Sequence, residues 1–308
     1  MTRERTVVDW VERVAGTLQA AGLHFGHGTD NATDEAVWLV LHSLGEAQDG
    51  SFEEWQRLVT PEQALTIERL TRARCEAGKP LAYLLGEAWF AGLPFEVNES
   101  VLVPRSPIAE LVVDGFRPWV TRIGSSLVLD LCCGSGCIGI AIAAHAPGSR
   151  VELADISPDA LEVARRNAAR HRVVDRVGFI ESDLFKALEG RRYDLIVTNP
   201  PYVPADSREN LPREYRAEPR IGLVSGQDGL DAPLAILLDA PRHLCEDGVL
   251  VCEVGESEAR LADLLPRVPF TWLEFAHGGS GVFVLDREQL REAAPAVREA
   301  IGKRSHVT

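Results

Sequence analysis

No run of about eighteen apolar residues occurs in the 308-residue chain, so no segment is long enough to cross a bilayer core as a helix. The first ten residues, Met1 to Trp10, mix charges of both signs and lack the apolar core of a secretory signal. These two absences make the cytoplasm the expected compartment. Cations are scarce: 32 Lys and Arg stand against 46 Asp and Glu, a formal net charge of −14. Proteins that grip nucleic acid draw much of their affinity from neutralised phosphates. No direct nucleic-acid binding is therefore expected, and a basic partner is favoured through long-range steering. The six cysteines are Cys75, Cys132, Cys133, Cys137, Cys245 and Cys252, and their spacing matches no secreted disulfide framework. Free thiols are expected. Three of them crowd one turn, but neighbouring side chains of a tight turn point apart and no fourth ligand is evident, so no metal is expected.

What is present divides into three stretches. In residues 1–80, Val7, Val8, Val11, Val14 and Leu18 recur at helical spacing. A second helix fits Thr33 to Leu44, capped by Thr33 or Asp34. A third fits Thr60 to Ala77, with Thr60 as cap and Pro61 in the first turn, and Gly78-Lys79-Pro80 ends it. This is a small helical domain. Residues 81–106 are aromatic and β-prone around Gly92-Leu93-Pro94, and read as a hairpin linker. Residues 107–308 alternate strand and helix. The strands fall at Ser126–Leu131, Arg150–Ala154, Val177–Ile180, Tyr193–Thr198 and Gly248–Glu253, and the helices at Cys137–Ala146, Pro158–Arg170 and Pro233–Cys245. Two further strands, Phe270–Phe275 and Gly281–Leu285, flank Gly278-Gly279-Ser280 as a hairpin. Such alternation predicts an α/β fold, a parallel sheet covered by helices on both faces with one antiparallel edge strand.

Two motifs carry chemistry. The first runs from Leu127 to Gly139, a strand, a glycine turn and a helix start, with Gly134, Gly136 and Gly139 in dinucleotide-fingerprint spacing. Glycine lets the backbone approach a ligand closely, and a helix start offers free N–H groups. Asp155 ends the next strand about twenty residues on, where a carboxylate suits ribose hydroxyls. Asp130 stands before the turn, where a carboxylate fits the cationic amino-acid tail of S-adenosylmethionine better than a pyrophosphate. Asp183 follows the third strand and is placed to meet an adenine amino group.

The second motif is Asn199-Pro200-Pro201-Tyr202 at the end of an apolar strand. Two prolines stiffen the loop and remove two donors. The Asn199 side-chain oxygen and the Pro200 carbonyl can each accept one hydrogen of an NH2 group, while Tyr202 offers a flat stacking face. An amide or aromatic amine nitrogen is a poor nucleophile because its lone pair is delocalised. Acceptors that hold both hydrogens aim that lone pair at a sulfonium methyl and strengthen as positive charge develops.

At these residues the chain resembles the protein-glutamine methyltransferases of the HemK/Prm type, and the resemblance extends over nearly its whole length. The stretch Glu218-Pro219, Leu223, Gly226 and Asp228-Gly229-Leu230 also falls in the family's order. Gly26-His27-Gly28-Thr29-Asp30-Asn31, Val103-Pro104-Arg105-Ser106-Pro107-Ile108 and Phe270-Thr271-Trp272-Leu273-Glu274-Phe275 resemble the PrmB-type branch, which methylates a glutamine of the third protein of the large ribosomal subunit. The other branch acts on translation termination factors and typically carries Pro-Arg-Pro-x-Thr-Glu where this chain has Pro104 to Ala109. The resemblance implies a Rossmann-like, seven-stranded class I methyltransferase domain behind the helical one. It implies cofactor contacts from Asp130, Cys132, Gly134, Gly136, Asp155, Asp183, Leu184 and Asn199, with S-adenosylmethionine as cofactor. It assigns the glutamine amide to Asn199, Pro200, Pro201 and Tyr202, and a basic ribosomal protein as partner. Cys132 replaces the first glycine of the family's turn, and Leu184 stands where the termination-factor branch often has tryptophan. Arg105 lies at the hairpin exit, either facing the site or forming a structural ion pair.

Three rival readings stand beside this one. An adenine amino methyltransferase uses the same Asn-Pro-Pro-Tyr clamp on a flipped base, but the net charge and the lack of a basic module oppose it. A nicotinamide-dependent oxidoreductase explains the glycines and leaves the clamp without a role. A silent binding protein on the same fold would have no need of intact acids and clamp.

Overall fold

The computed structural model describes residues 5–47 and 50–305. Residues 1–4 and 48–49 of the expected helical region, and residues 306–308 at the other end, lie outside the described residues. The chain separates into two compact units. One is Met1–Glu99 with Val103–Arg105 and Leu211–Ala217, and the other is Ser100–Leu102 with Ser106–Asn210 and Glu218–Thr308.

In the first unit, α1 (Val7–Ala20) starts in a capping box, the Thr6 hydroxyl taking the Asp9 amide and the Asp9 carboxylate taking the Thr6 amide. Helix α2 (Ala32–Leu44) is capped by Asn31, whose side-chain oxygen takes the Thr33 and Asp34 amides. The expected caps Thr33 and Asp34 thus lie inside the helix. Helix α3 (Pro61–Ala77) starts at the Thr60 cap with a second capping box. Gly78, at φ +60°, ends it in a left-handed turn. A short α4 (Leu81–Leu85) follows, then β1 (Glu87–Phe90) and β2 (Leu93–Glu96), which pair antiparallel across Ala91-Gly92. Arg74, fully buried on α3, bridges Glu35 (2.7 Å) and Glu214 (3.1 Å). Burial pushes Glu35 up despite Arg74. Glu214 is itself buried, yet backbone amides and Arg74 hold its carboxyl below the usual range.

The second unit opens with α5 (Ile108–Val113) and is built on β3 (Leu127–Leu131), α6 (Cys137–His145), β4 (Arg150–Asp155), α7 (Pro158–Arg170), β5 (Val177–Glu181) and β6 (Tyr193–Thr198). After β6 come the single-turn helices α8 (Arg213–Arg216), which belongs to the first unit, and α9 (Arg220–Leu223). Then follow α10 (Asp231–His243), β7 (Leu244–Glu253), α11 (Glu258–Leu264), β8 (Thr271–Trp272), β9 (Val282–Asp286) and α12 (Arg287–Ser305). The seven strands order as β5-β4-β3-β6-β7-β9-β8. Only β9 runs antiparallel to the first five strands, and it sits one place inside the edge. The expected antiparallel edge strand is therefore covered by β8, which is two residues long. Beyond it the chain turns so that the Ala276 and His277 amides reach the Glu110 carboxylate at 2.9 Å each, which ends the pairing expected through Phe275. The core lies on the sheet's faces: Leu129, Ile196, Leu250 and Phe283 from strands meet Leu234, Leu237, Leu290 and Val297 from α10 and α12. Helix α6 is apolar nearly all round, with Ile138 to Ala143 buried, as an interior helix must be.

Candidate active site

Parallel register decides which residues meet. Leu131 of β3 lies opposite Ala154 of β4 and Thr198 of β6. Cys132, Asp155 and Asn199 therefore emerge side by side at the carboxyl end of the sheet, where ligands of such folds bind. The Thr198 hydroxyl donates to the Leu131 carbonyl (2.7 Å) and the Cys133 amide to the Ala154 carbonyl (3.1 Å), pinning the three strand ends together.

The turn after β3 is left-handed at Cys132 (φ +59°), Gly134 (+54°) and Gly136 (+76°). At Gly136 a Cβ would also fall 2.8 Å from Ile140 and 3.0 Å from Leu153, so no other residue fits. At Gly139 it would fall 2.4 Å from Leu153, which is how α6 lies directly on the sheet. Asp155 holds the turn: its carboxylate takes the Gly134 amide (2.8 Å) and the Ser157 amide (2.9 Å). Burial raises its pKa against those amides. Each oxygen keeps a second lone pair for a hydroxyl donor. Ile156, next in the chain, exposes an apolar side chain.

Asp130 is the most perturbed acid of this end. It is buried, and one oxygen takes the Gly139 amide at 2.8 Å. The other oxygen is buried with no hydrogen-bond partner. Burial pushes the carboxyl up to about 7 against the Gly139 amide, and the charge of Asp155 adds to the rise. A carboxylate oxygen held without a donor in a buried place fits a ligand that brings one, such as an ammonium. Burial also drives the Cys132 and Cys133 thiols far above their ordinary range, and Cys137 up to about 12. They remain protonated at neutral pH, which does not suit a nucleophile. Among the described residues no cluster of His, Cys, Asp and Glu is built to hold a metal ion.

Asp183 lies two residues past β5, exposed and paired with Lys186 at 2.5 Å. Leu184 takes φ +49° and packs partly into the sheet's core, while the Ser182 hydroxyl donates to the Leu184 carbonyl. Arg105, in the first unit, lies over the Tyr215 ring at 5.1 Å and donates to the Val103 carbonyl.

The clamp is held in a cradle that joins Glu253, Gly255 and Ser257, which sequence reasoning did not single out, to Ser106, Leu223, Gly226 and Gly229, to which it gave no role there. Pro200 is buried, and Asn199, Pro201 and Tyr202 are half-buried. The Tyr202 hydroxyl donates to Glu253 at 3.1 Å, and the Ser106 hydroxyl donates to the other oxygen of that buried carboxylate at 2.5 Å. The Ser257 hydroxyl donates to the Tyr202 carbonyl at 2.8 Å. A Cβ on Gly255 would fall 2.6 Å from the tyrosine ring, and one on Gly229 2.2 Å from its carbonyl oxygen. Val203 pairs with Val224 in a parallel bridge, so Leu223 to Gly226 form the wall behind the clamp. The available sequence signal was position: Glu253 ends β7, the strand beside β6, as Asp155 ends β4.

A seven-stranded sheet with this strand order, a glycine turn after β3 and an acid ending β4 define a class I methyltransferase. The sequence pattern of the methyltransferase small domain family matches residues 119–212. A "Ribosomal protein uL3 glutamine methyltransferase" of Xanthomonas campestris is 48% identical over 300 residues, 97% of either chain. Its namesake in Xylella fastidiosa is 49% identical over 286 residues, 92% of this chain and 91% of that one. The chain belongs to the ribosomal protein uL3 glutamine methyltransferase family. Among solved structures, the hMettl16 catalytic domain in complex with MAT2A 3′UTR hairpin 1 superposes with TM-score 0.50 at 17% identity, over 80% of this chain and 90% of that one, a likeness of fold. No helix among the described residues is long and apolar enough to cross a membrane.

Proposed function

We propose that this chain transfers a methyl group from S-adenosylmethionine to the side-chain amide nitrogen of a glutamine in ribosomal protein uL3. The observation that carries this reading is that β6 delivers Asn199 to Tyr202 to the same sheet end as the glycine turn, with Tyr202 fixed at both its hydroxyl and its carbonyl. The family relationship supports the choice of substrate.

The residues fit the cofactor. Asp130 offers its unpartnered oxygen to the α-ammonium, Asp155 its remaining lone pairs to the ribose hydroxyls, Ile156 an apolar surface to the base, and Asp183 an acceptor to the adenine amine. Bound there, S-adenosylmethionine supplies an electrophilic methyl on a sulfonium. Asn199 and the Pro200 carbonyl hold the two amide hydrogens, and the Tyr202 ring fixes the plane of the amide. A new N–C bond forms as the S–C bond breaks, and the nitrogen sheds one proton to solvent afterwards. Because the acceptors bind the developing cation more strongly than the neutral amide, they lower the barrier without a strong base.

The clamp recognises an amide and little more, so we assign the choice of protein to the helical unit. A net charge of −14 steers the enzyme toward a basic ribosomal protein. The test is methyl transfer from labelled S-adenosylmethionine to free uL3, a termination factor and adenine-containing DNA, with the methyl group located by mass spectrometry. One methylglutamine in uL3, abolished by Asn199→Ala, is the expected result. Label in the termination factor overturns the substrate, and label only in DNA overturns the amide. Exchange of residues 1–80 together with 211–217 for those of a termination-factor enzyme should redirect the label; unchanged choice refutes the assignment to the helical unit.

A further inference from the structure

The net charge conceals an uneven distribution. Between α10 and α12 lies a cleft of about 320 Å3 lined by Arg192, Arg242, Arg287, Arg291 and Arg298, with no acidic side chain in its lining. On α12 Arg287, Arg291 and Arg298 fall on one stripe, while Glu288, Glu292 and Glu299 fall on another and Lys303 and Arg304 of the last turn lie off the arginine stripe. Of the five arginines, Arg242 pairs with Asp239 at 3.1 Å; among the described residues no carboxylate lies within ion-pair distance of the other four. Two are oriented by carbonyls at the cleft wall: Arg287 donates its Nε to Pro241 (3.1 Å) and Arg192 an Nη1 hydrogen to Leu244 (3.2 Å). Among the described residues their remaining donors have no partner.

Four like charges gathered without counter-charges repel one another, an arrangement that an anionic ligand relieves. One phosphate takes one or two guanidinium forks. The α12 stripe runs about 16 Å along the helix axis, at about 1.5 Å per residue from Arg287 to Arg298. That length suits a chain of anions rather than a single one. We propose that this cleft binds the phosphate backbone of single-stranded RNA. The choice of RNA over other linear polyanions rests on the uL3 reading, since a ribosomal protein assembles on RNA. The cleft would give the enzyme a second hold on a particle that carries its substrate, while the overall negative charge limits binding elsewhere on its surface.

The test uses the purified full-length chain without S-adenosylmethionine or uL3, so its failure leaves the methyl-transfer reading standing. Binding of a labelled oligouridylate long enough to span the cleft is followed by fluorescence anisotropy from about 50 to about 200 mM salt. Five phosphate contacts on a single strand predict a slope of log affinity on log salt of about −3.5, or about a 130-fold loss over that range. Arg287→Gln/Arg291→Gln/Arg298→Gln should leave a slope of about −1.4, a loss of about sevenfold. Arg291→Gln/Arg298→Gln, which spares the bond to Pro241, should give about −2.1. An equal charge change elsewhere, Arg13→Gln/Arg69→Gln/Arg166→Gln, should keep the native slope. Absent binding at the lowest salt, an unchanged slope in the cleft variants, or an equal fall in the control overturns the proposal. Uridine monophosphate competing as well as the oligomer would make the cleft a single-phosphate site. Polyglutamate binding more tightly than RNA would assign it to an acidic protein. Either result refutes the RNA proposal.

Discussion

The Tyr202–Glu253 bond offers a sharp test of the clamp because it can be cut without removing the ring. Tyr202→Phe keeps the aromatic face and deletes one hydroxyl, 3.1 Å from the Glu253 carboxylate. A hydrogen bond to a charged acceptor is worth about 1.5–3 kcal/mol. If that energy holds the clamp in its productive position, kcat falls about 10- to 100-fold, at about 1.4 kcal/mol per decade. Glu253→Gln retains one carbonyl acceptor for two hydroxyls, Tyr202 and Ser106, and should lose a similar amount. The readout is methyl transfer to uL3 with both substrates saturating, beside the affinity for S-adenosylmethionine measured calorimetrically. That affinity should stay within about twofold, because Tyr202 and Glu253 belong to the amide's side of the site; a general loss of structure would move both. The double variant completes a cycle. Residues that act through each other should show a coupling of about 1 kcal/mol or more. Additive losses, or a Tyr202→Phe enzyme with native kcat, would falsify the positioning role.

Asp130→Asn should weaken S-adenosylmethionine binding at least tenfold. With the carboxyl at about 7 in the free protein, binding the ammonium should release a proton near neutrality, visible as buffer-dependent heats that the variant lacks. The sign for stability is opposite to that of a salt-bridged acid: a raised carboxyl contributes most at low pH, and its share is lost as pH rises from about 4 to about 7. Gly136→Ala should cost about 2–4 kcal/mol in urea unfolding, from a left-handed backbone and a Cβ pressed on Ile140 and Leu153. Gly134→Ala, which meets no neighbour within 4 Å, should cost only the backbone share, about 1–2 kcal/mol. Arg74→Met strands two buried carboxylates and should cost about 3–5 kcal/mol near pH 7. That loss should shrink as the pH is lowered and Glu35 and Glu214 protonate, and a loss independent of pH would refute the charge argument.

The sequence is most legible where its signals are local. Helix α7 and strand β6 coincide with their expected bounds, Pro158–Arg170 and Tyr193–Thr198. The first carries its own cap, Ser157, and a proline at its start; the second is an unbroken apolar run closed by Asn-Pro-Pro. Helix α12 escaped notice for the opposite reason. Its buried stripe is Leu290, Ala293, Ala294, Val297 and Ala300, three of five being alanine, and Pro295 interrupts it. The strand-end neighbourhoods of Asp130, Asp155 and Asn199 were legible because each motif is a few residues long and the parallel order brings them together. Glu253 and Ser106 were not, since their bond spans 147 positions and exists only once the sheet has formed. Likewise nothing in Leu211–Ala217 announces that Glu214 completes an ion triad with two helices of the amino-terminal unit.

That triad sets an order of events during synthesis. Glu35 and Arg74 leave the ribosome early and pair, but the second carboxylate arrives 140 positions after Arg74, behind four strands of the catalytic sheet. The amino-terminal unit thus begins first and finishes late. A fragment ending near residue 100 would carry a buried guanidinium short of one partner and would survive poorly alone. Emergence of Leu211–Ala217, rather than of the first helices, marks the moment when the helical unit reaches its full stability.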